Sequence, residues 1–174
     1  AAGYPAAWAI AQSAVAHLDD ALAWLKDPAR FPEGAHVIFA NPFEFTDGTG
    51  QVDACSPESI SIAGFGELDV SALGLNVAAL GGFGEWEEPE MLHEIVVWLL
   101  EQFTALAVQH GADVVWLLEH FCGHGFVATG EDADPEAGCY IGPDAELYFD
   151  VTCTHPSEAG HEAIYEMFRA VVLE

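Results

Sequence analysis

His36-Val-Ile-Phe-Ala40, closed by Asn41-Pro42, is a short unbroken apolar run with a turn signal directly behind it. A run of this length, bounded in this way, reads as a strand buried on both faces, the kind that parallel sheets use. Asp113-Val-Val-Trp-Leu-Leu118 has the same character. Between the two, Pro89 opens a helix that carries Leu92, Ile95, Val96, Leu99, Phe103 and Leu106 on its buried side, and Gly111 stops it. Strand, helix, strand in this order predicts two parallel strands joined by a right-handed crossover.

Working outward, residues 6–27 place Trp8, Ala11, Val15, Leu18, Leu22 and Leu25 at steps of three and four, one stripe of a helix that Pro28 and Pro32 end. At the other end Ser157, after Pro156, is an N-cap for a last helix with Ile164, Phe168 and Val171 inward. The whole is an α/β layer architecture with three main helices and about two parallel core strands. Two strands cannot make a stable doubly wound sheet, so the chain reads as the back half of a larger domain. The 41–88 region leaves room for a short strand around Ser59–Ile62, but its glycines argue against a central position in the sheet. The segments 41–88 and 121–156 follow the carboxyl ends of the two strands, where open α/β sheets gather ligand-binding and catalytic groups.

Of the 174 residues 52% are apolar and 11% aromatic, which argues for a packed core despite a net charge of −26. With only Lys26, Arg30 and Arg169 as fixed cations, the chain has no means to track nucleic-acid phosphates, and an anionic membrane surface repels it. No window approaches the roughly 18 unbroken apolar residues of a membrane span. The opening AAGYPAAWAI has neither a basic n-region nor an initiator Met and reads as a mature end or a cut piece. Four cysteines, Cys55, Cys122, Cys139 and Cys153, none in a C-x-x-C pair, point to two disulfides and an oxidising compartment, against the alternative of four buried thiols. Three connectivities are open; Cys139–Cys153 closes the shorter loop and is preferred.

The strongest chemical signal is Asp150-Val-Thr-Cys-Thr-His155-Pro156-Ser-Glu-Ala-Gly160-His161. Proline biases His155 toward an extended backbone at the mouth of the following helix. A carboxylate upstream can take the proton side of one ring nitrogen and leave the other as a base. This segment resembles the closing block of the GDSL, or SGNH, family of serine esterases and lipases. The strand VIFANPF, the DGTG turn with a cysteine nearby, and HFCGHGF also look like the latter half of secreted bacterial members.

The resemblance implies a flavodoxin-like three-layer α/β/α sandwich around a five-stranded parallel sheet, with residues 1–174 as the C-terminal portion of that single domain. It implies that His155 is the general base, that Asp150 orients it, and that the substrate is a small-molecule ester or a lipid. The family's acid lies three residues before the histidine, where this chain has Thr152, while Asp150 lies five before. An acid from elsewhere, such as Asp144 or Glu146, or a Ser-His dyad therefore stays open. No Gly-Asp-Ser, Gly-x-Ser-x-Gly or Gly-x-Asn-Asp occurs in the chain. The nucleophile and oxyanion donors are thus expected on a missing N-terminal half, the chain's partner, and without them the chain alone is expected to be inactive. The expected location is secreted or periplasmic, and no cofactor or metal is assigned.

Two other functions are weighed against the esterase. One is a binding module that kept the α/β scaffold without catalysis. The other is a zinc hydrolase using His120, His124 and His155, since an extended backbone would put His120, Cys122 and His124 on one side. Elsewhere the structural readings prevail. Asp47-Gly-Thr-Gly-Gln-Val-Asp53 is a tight glycine turn rather than a calcium loop. Glu85, Glu87, Glu88 and Glu90 form an acidic helix start, Phe83 and Trp86 pack in a loop, and His161 packs the first turn of the last helix.

Overall fold

The computed structural model describes residues 4–51, 54–55, 59–62, 66–69, 89–150 and 152–174. Helix α1, Pro5–Leu25, begins on a proline, whose missing N–H would have had no helical partner. Its apolar stripe is the expected one: Ala11 and Leu22 are buried, and Trp8, Val15, Leu18 and Leu25 are half-buried. The helix stops just short of Asp27, whose carboxylate accepts the Ala29 N–H (2.8 Å) and whose carbonyl accepts those of Arg30 and Phe31. This side-chain turn competes with further helix before Pro28 is reached. Lys26, at the C-cap, donates its ammonium to the carbonyls of Ala35 (2.9 Å) and Gly111 (2.6 Å), joining three chain segments with one cation.

Helix α2, Pro89–His110, lies against α1. Trp8 meets Trp98 edge-on at 5.4 Å, and the His110 ring lies 2.6 Å from the Asp19 carboxylate. Ile95 and Leu106 are buried, with Val96, Leu99 and Phe103 half-buried; the side chain of Leu92 lies outside those described. Gly111, at φ 62°, turns the chain out of the helix. It enters β4, Asp113–Val115, which pairs in parallel with β1, Ile38–Ala40, so that Phe39 stands opposite Val114. Chain order and direction are as the apolar runs predicted.

Both strands are shorter than those runs. The Asn41 N–H still donates to the Val115 carbonyl (3.0 Å), but Pro42 has no N–H to continue the ladder. Released from pairing, the chain leaves Trp116 40% exposed and winds Leu117–Phe121 into a short helix, α3, where the sequence had suggested more strand.

Ser59–Ile62 does form a short strand, β2, and it pairs antiparallel with β3, Gly66–Asp69, in a hairpin separate from the parallel pair. Helix α4 covers Glu158–Leu173. The described residues thus form a mixed α/β structure with a two-stranded parallel sheet, and no described helix is long and apolar enough to cross a membrane. By its internal contacts the chain divides into two compact units. The first comprises Ala1–Pro42, Glu88–Leu117 and Tyr165–Glu174, and the second Phe43–Glu87 and Leu118–Ile164.

The second unit has an aromatic core. Phe149, 2% exposed, contacts Phe43 (5.8 Å between ring centres), Phe45 (6.3 Å), Phe121 (5.5 Å) and Phe126 (6.3 Å). Two disulfides complete it, Cys55–Cys153 and Cys122–Cys139, which corrects the preference for Cys139–Cys153. Loop length was a poor guide: closing a separation of 17 residues rather than 14 differs by only about 0.2 kcal/mol in chain entropy. Proximity decides. Gly123 lies so close to the Cys139 carbonyl that a Cβ on it would sit 2.5 Å away, so the chain around Cys139 is already docked beside Cys122.

Candidate functional site

The site grows from a short antiparallel contact. Phe149 and Pro156 form a β-bridge, flanked by Ser157 N–H to the Tyr148 carbonyl (2.7 Å) and Asp150 N–H to the His155 carbonyl (2.9 Å). Pro156 occupies a position that asks no N–H of it. Burial of Phe149 holds one arm of this hairpin. The other arm runs into α4, where Ser157 Oγ caps the helix by accepting the Gly160 N–H (3.2 Å) and donates to the Leu147 carbonyl (3.1 Å). Gly160 is required there, since a Cβ would collide with the Tyr148 carbonyl. The N-cap read from sequence is therefore in place, and it ties the helix start to the arm that carries Asp150.

Asp150 and His155 consequently face one another across the mouth of a tight turn. The turn itself is closed by Cys153 N–H to the Asp150 carbonyl (3.0 Å), with Cys153 at φ 69° and fully buried in its disulfide to Cys55. The two side chains do not bond directly. Asp150 Oδ1 accepts the Thr152 N–H (2.8 Å) and the Thr152 hydroxyl (2.5 Å), and that same hydroxyl oxygen lies 2.6 Å from His155 Nδ1. Thr152 and His155 are exposed, and Asp150 is half-buried. The structure thus brings both sequence-predicted residues together and adds a third, Thr152, between them. Of the other acids considered, Asp144 is exposed, and Glu146 offers His124 its backbone carbonyl.

The HFCGHGF segment behaves differently from its sequence reading. His120 lies in α3, and the turn continues through Cys122 N–H to the Leu118 carbonyl and His124 N–H to the Phe121 carbonyl. The backbone is not extended, because Phe121, fully buried, holds the helix to the aromatic core. Cys122 is committed to Cys139, and among the described residues no three His, Cys, Asp or Glu side chains converge as metal ligands would. The zinc arrangement of His120, His124 and His155 loses its geometric basis. His124 instead stacks on Tyr148, ring centres 3.7 Å apart and planes within 2°, and donates Nδ1–H to the Glu146 carbonyl at 2.7 Å. Burial, and then the nearby Glu146 charge, push the Tyr148 phenol above its ordinary pKa, so this ring stays neutral.

Sequence reasoning missed the role of Asp47. The glycine turn is present, with Asp47, Gly48 and Gly50 at φ 52°, 77° and 73°; Val52 and Asp53 lie outside the described residues. Yet the Asp47 carboxylate points inward, 8% of the residue exposed, and accepts three backbone N–H groups, from Gly123 (2.9 Å), Gly125 (2.9 Å) and Ala128 (2.8 Å). It pins the HFCGHGF turn, and Gly125 is needed because a Cβ would stand 2.5 Å from Asp47 Oδ2. The only hint in the sequence was an acid in a glycine turn, a residue type that tolerates positive φ. His161 is exposed rather than packed, since it sits about 100° around the helix from buried Gly160. Glu85, Glu87, Glu88, Phe83, Trp86 and the side chain of Glu90 lie outside the described residues.

Chemically, an exposed imidazole with one nitrogen engaged and a carboxylate behind it is suited to take and return a proton at its free nitrogen. No protein-family model matches the chain, and neither does any curated protein or solved structure.

Proposed function

We propose that this chain supplies the histidine and the acid of a serine esterase of the GDSL/SGNH type, acting on a small-molecule carboxylic ester or a lipid. The single observation that carries the reading is the side-chain chain Asp150–Thr152–His155 on a turn braced by a disulfide, a β-bridge and a helix cap. The proposal includes the three-layer α/β/α sandwich as the complete domain, with the serine and the oxyanion donors on a segment outside these residues. The two disulfides fit a secreted or periplasmic setting.

In the proposed reaction His155 Nε2 takes the hydroxyl proton as the serine oxygen adds to the ester carbonyl. The imidazolium then returns that proton to the alkoxide leaving group, and an acyl-serine remains. Water, deprotonated by the same nitrogen, adds to the acyl carbonyl, and the imidazolium returns that proton to the departing serine oxygen as the carboxylic acid is released. Asp150 stabilises the imidazolium stage of both halves.

A serine-directed phosphonate tests this on the intact protein. One covalent adduct is expected, with labelling slowed by roughly 10²-fold or more in His155→Ala, the scale of general-base catalysis. Absence of an adduct, or undiminished labelling of His155→Ala, would remove the esterase reading; the former would favour the non-catalytic binding module.

A further inference from the structure

A threonine hydroxyl has one proton and lies here between two groups that both compete for hydrogen bonds. Asp150 Oδ1, 2.5 Å away, is a carboxylate oxygen that only accepts. Two oxygens approach to that distance only with a proton between them, so the hydroxyl proton is directed at Asp150. The Thr152 oxygen is then left with lone pairs alone toward His155 Nδ1, at 2.6 Å. A hydrogen bond there requires that Nδ1 carry the proton. The Thr152 N–H, donating to the same Oδ1 at 2.8 Å, holds the carboxylate over this one residue and keeps the hydroxyl from turning away.

We infer that Thr152 is a positioning residue: its hydroxyl, oriented by Asp150, fixes His155 as the Nδ1–H tautomer and leaves Nε2 as the free base. The carboxylate acts on the imidazole through a relay of two hydrogen bonds, Nδ1–H to Oγ1 and Oγ1–H to Oδ1, with no net proton transfer along it. When Nε2 takes up a proton, the positive charge on the ring strengthens both bonds in the same sense. The five-residue spacing of Asp150 and His155 follows from this relay. The β-bridge sets the two residues across a turn from each other, and the hydroxyl fills the space between them. The catalytic consequence rests on the esterase reading; the tautomer does not.

Two measurements on the intact protein separate these. Two-bond proton–nitrogen correlation spectra of 15N-labelled protein, at mildly alkaline pH, report which ring nitrogen carries the proton, and His155→Gln identifies the His155 signals by their loss. The expected result is Nδ1–H in the unsubstituted protein and in Thr152→Ser, with the proton moving to Nε2 in Thr152→Val. An Nε2–H form in the unsubstituted protein overturns the inference without any variant, as does a Thr152→Val protein that keeps Nδ1–H. Phosphonate labelling of the same proteins should slow at least about tenfold in Thr152→Val, a part of the 10²–10⁴ that a positioned base contributes, and recover in Thr152→Ser. A protein that keeps the Nδ1–H signature but takes no phosphonate would end the esterase reading and leave the role of Thr152 intact.

Discussion

Asp47 and Thr152 show how much a single polar group does when its partners are backbone or a shared proton. The Asp47 oxygens accept three backbone N–H donors, two on Oδ1 and one on Oδ2. An asparagine in its place would keep one acceptor and turn an NH2 toward the remaining N–H, so a donor faces a donor in a buried place. Asp47→Asn is therefore expected to destabilise by about 1–3 kcal/mol, the cost of an unsatisfied buried polar group, read from the urea midpoint. An unchanged midpoint would mean that the carboxylate is not the pin described. Neither residue's role was visible in the sequence, for one reason. The partners of Asp47 are 76, 78 and 81 residues away, and Thr152 acquires its function only once the turn folds back on itself.

Elements here are set by where their backbone hydrogen bonds can and cannot continue. The parallel pair ends at Pro42, α1 ends where Asp27 builds its own turn, and α4 begins on the Ser157 hydroxyl. That hydroxyl bonds both within the helix start and back to Leu147, so it joins α4 to the Phe149 arm. Ser157→Ala should cost about 1 kcal/mol, as lost N-caps do. Hydrogen exchange should then quicken at Gly160 and at the Phe149–Pro156 bridge together; loosening at Gly160 alone would show that the cap does not brace the hairpin. The three long helices and the cap were legible because apolar stripes and capping residues are local patterns. Strand ends were not, since an apolar run does not record when its partner strand stops.

At the scale of the molecule the dominant facts are charge and covalent closure. A net charge of −26 with three Lys and Arg leaves almost every carboxylate without a fixed cation nearby, and folding concentrates that repulsion. Screening shortens from about 10 Å at 0.1 M salt to about 3 Å at 1 M. The melting temperature should therefore rise over this range of sodium chloride, and a flat or falling trend would show that self-repulsion is not a large part of the balance. The Cys55–Cys153 disulfide closes a separation of 98 residues and Cys122–Cys139 one of 17, worth about 4–5 and 3 kcal/mol in the chain-entropy account. Such closure offsets the repulsion whatever the salt.

Composition, periodicity and local motifs alone gave the α/β class, the three long helices and the Ser157 cap, because each depends on residues within a few positions of one another, and the strand–helix–strand order gave the parallel direction of the two strands. Tertiary contact decided the cystine pairing, the inward turn of Asp47, the helical path of His120 to Cys122 and the hydroxyl between Asp150 and His155. These rest on which distant segments meet, and a hydrogen bond or a disulfide forms only where packing has already brought its two ends within about 3–6 Å.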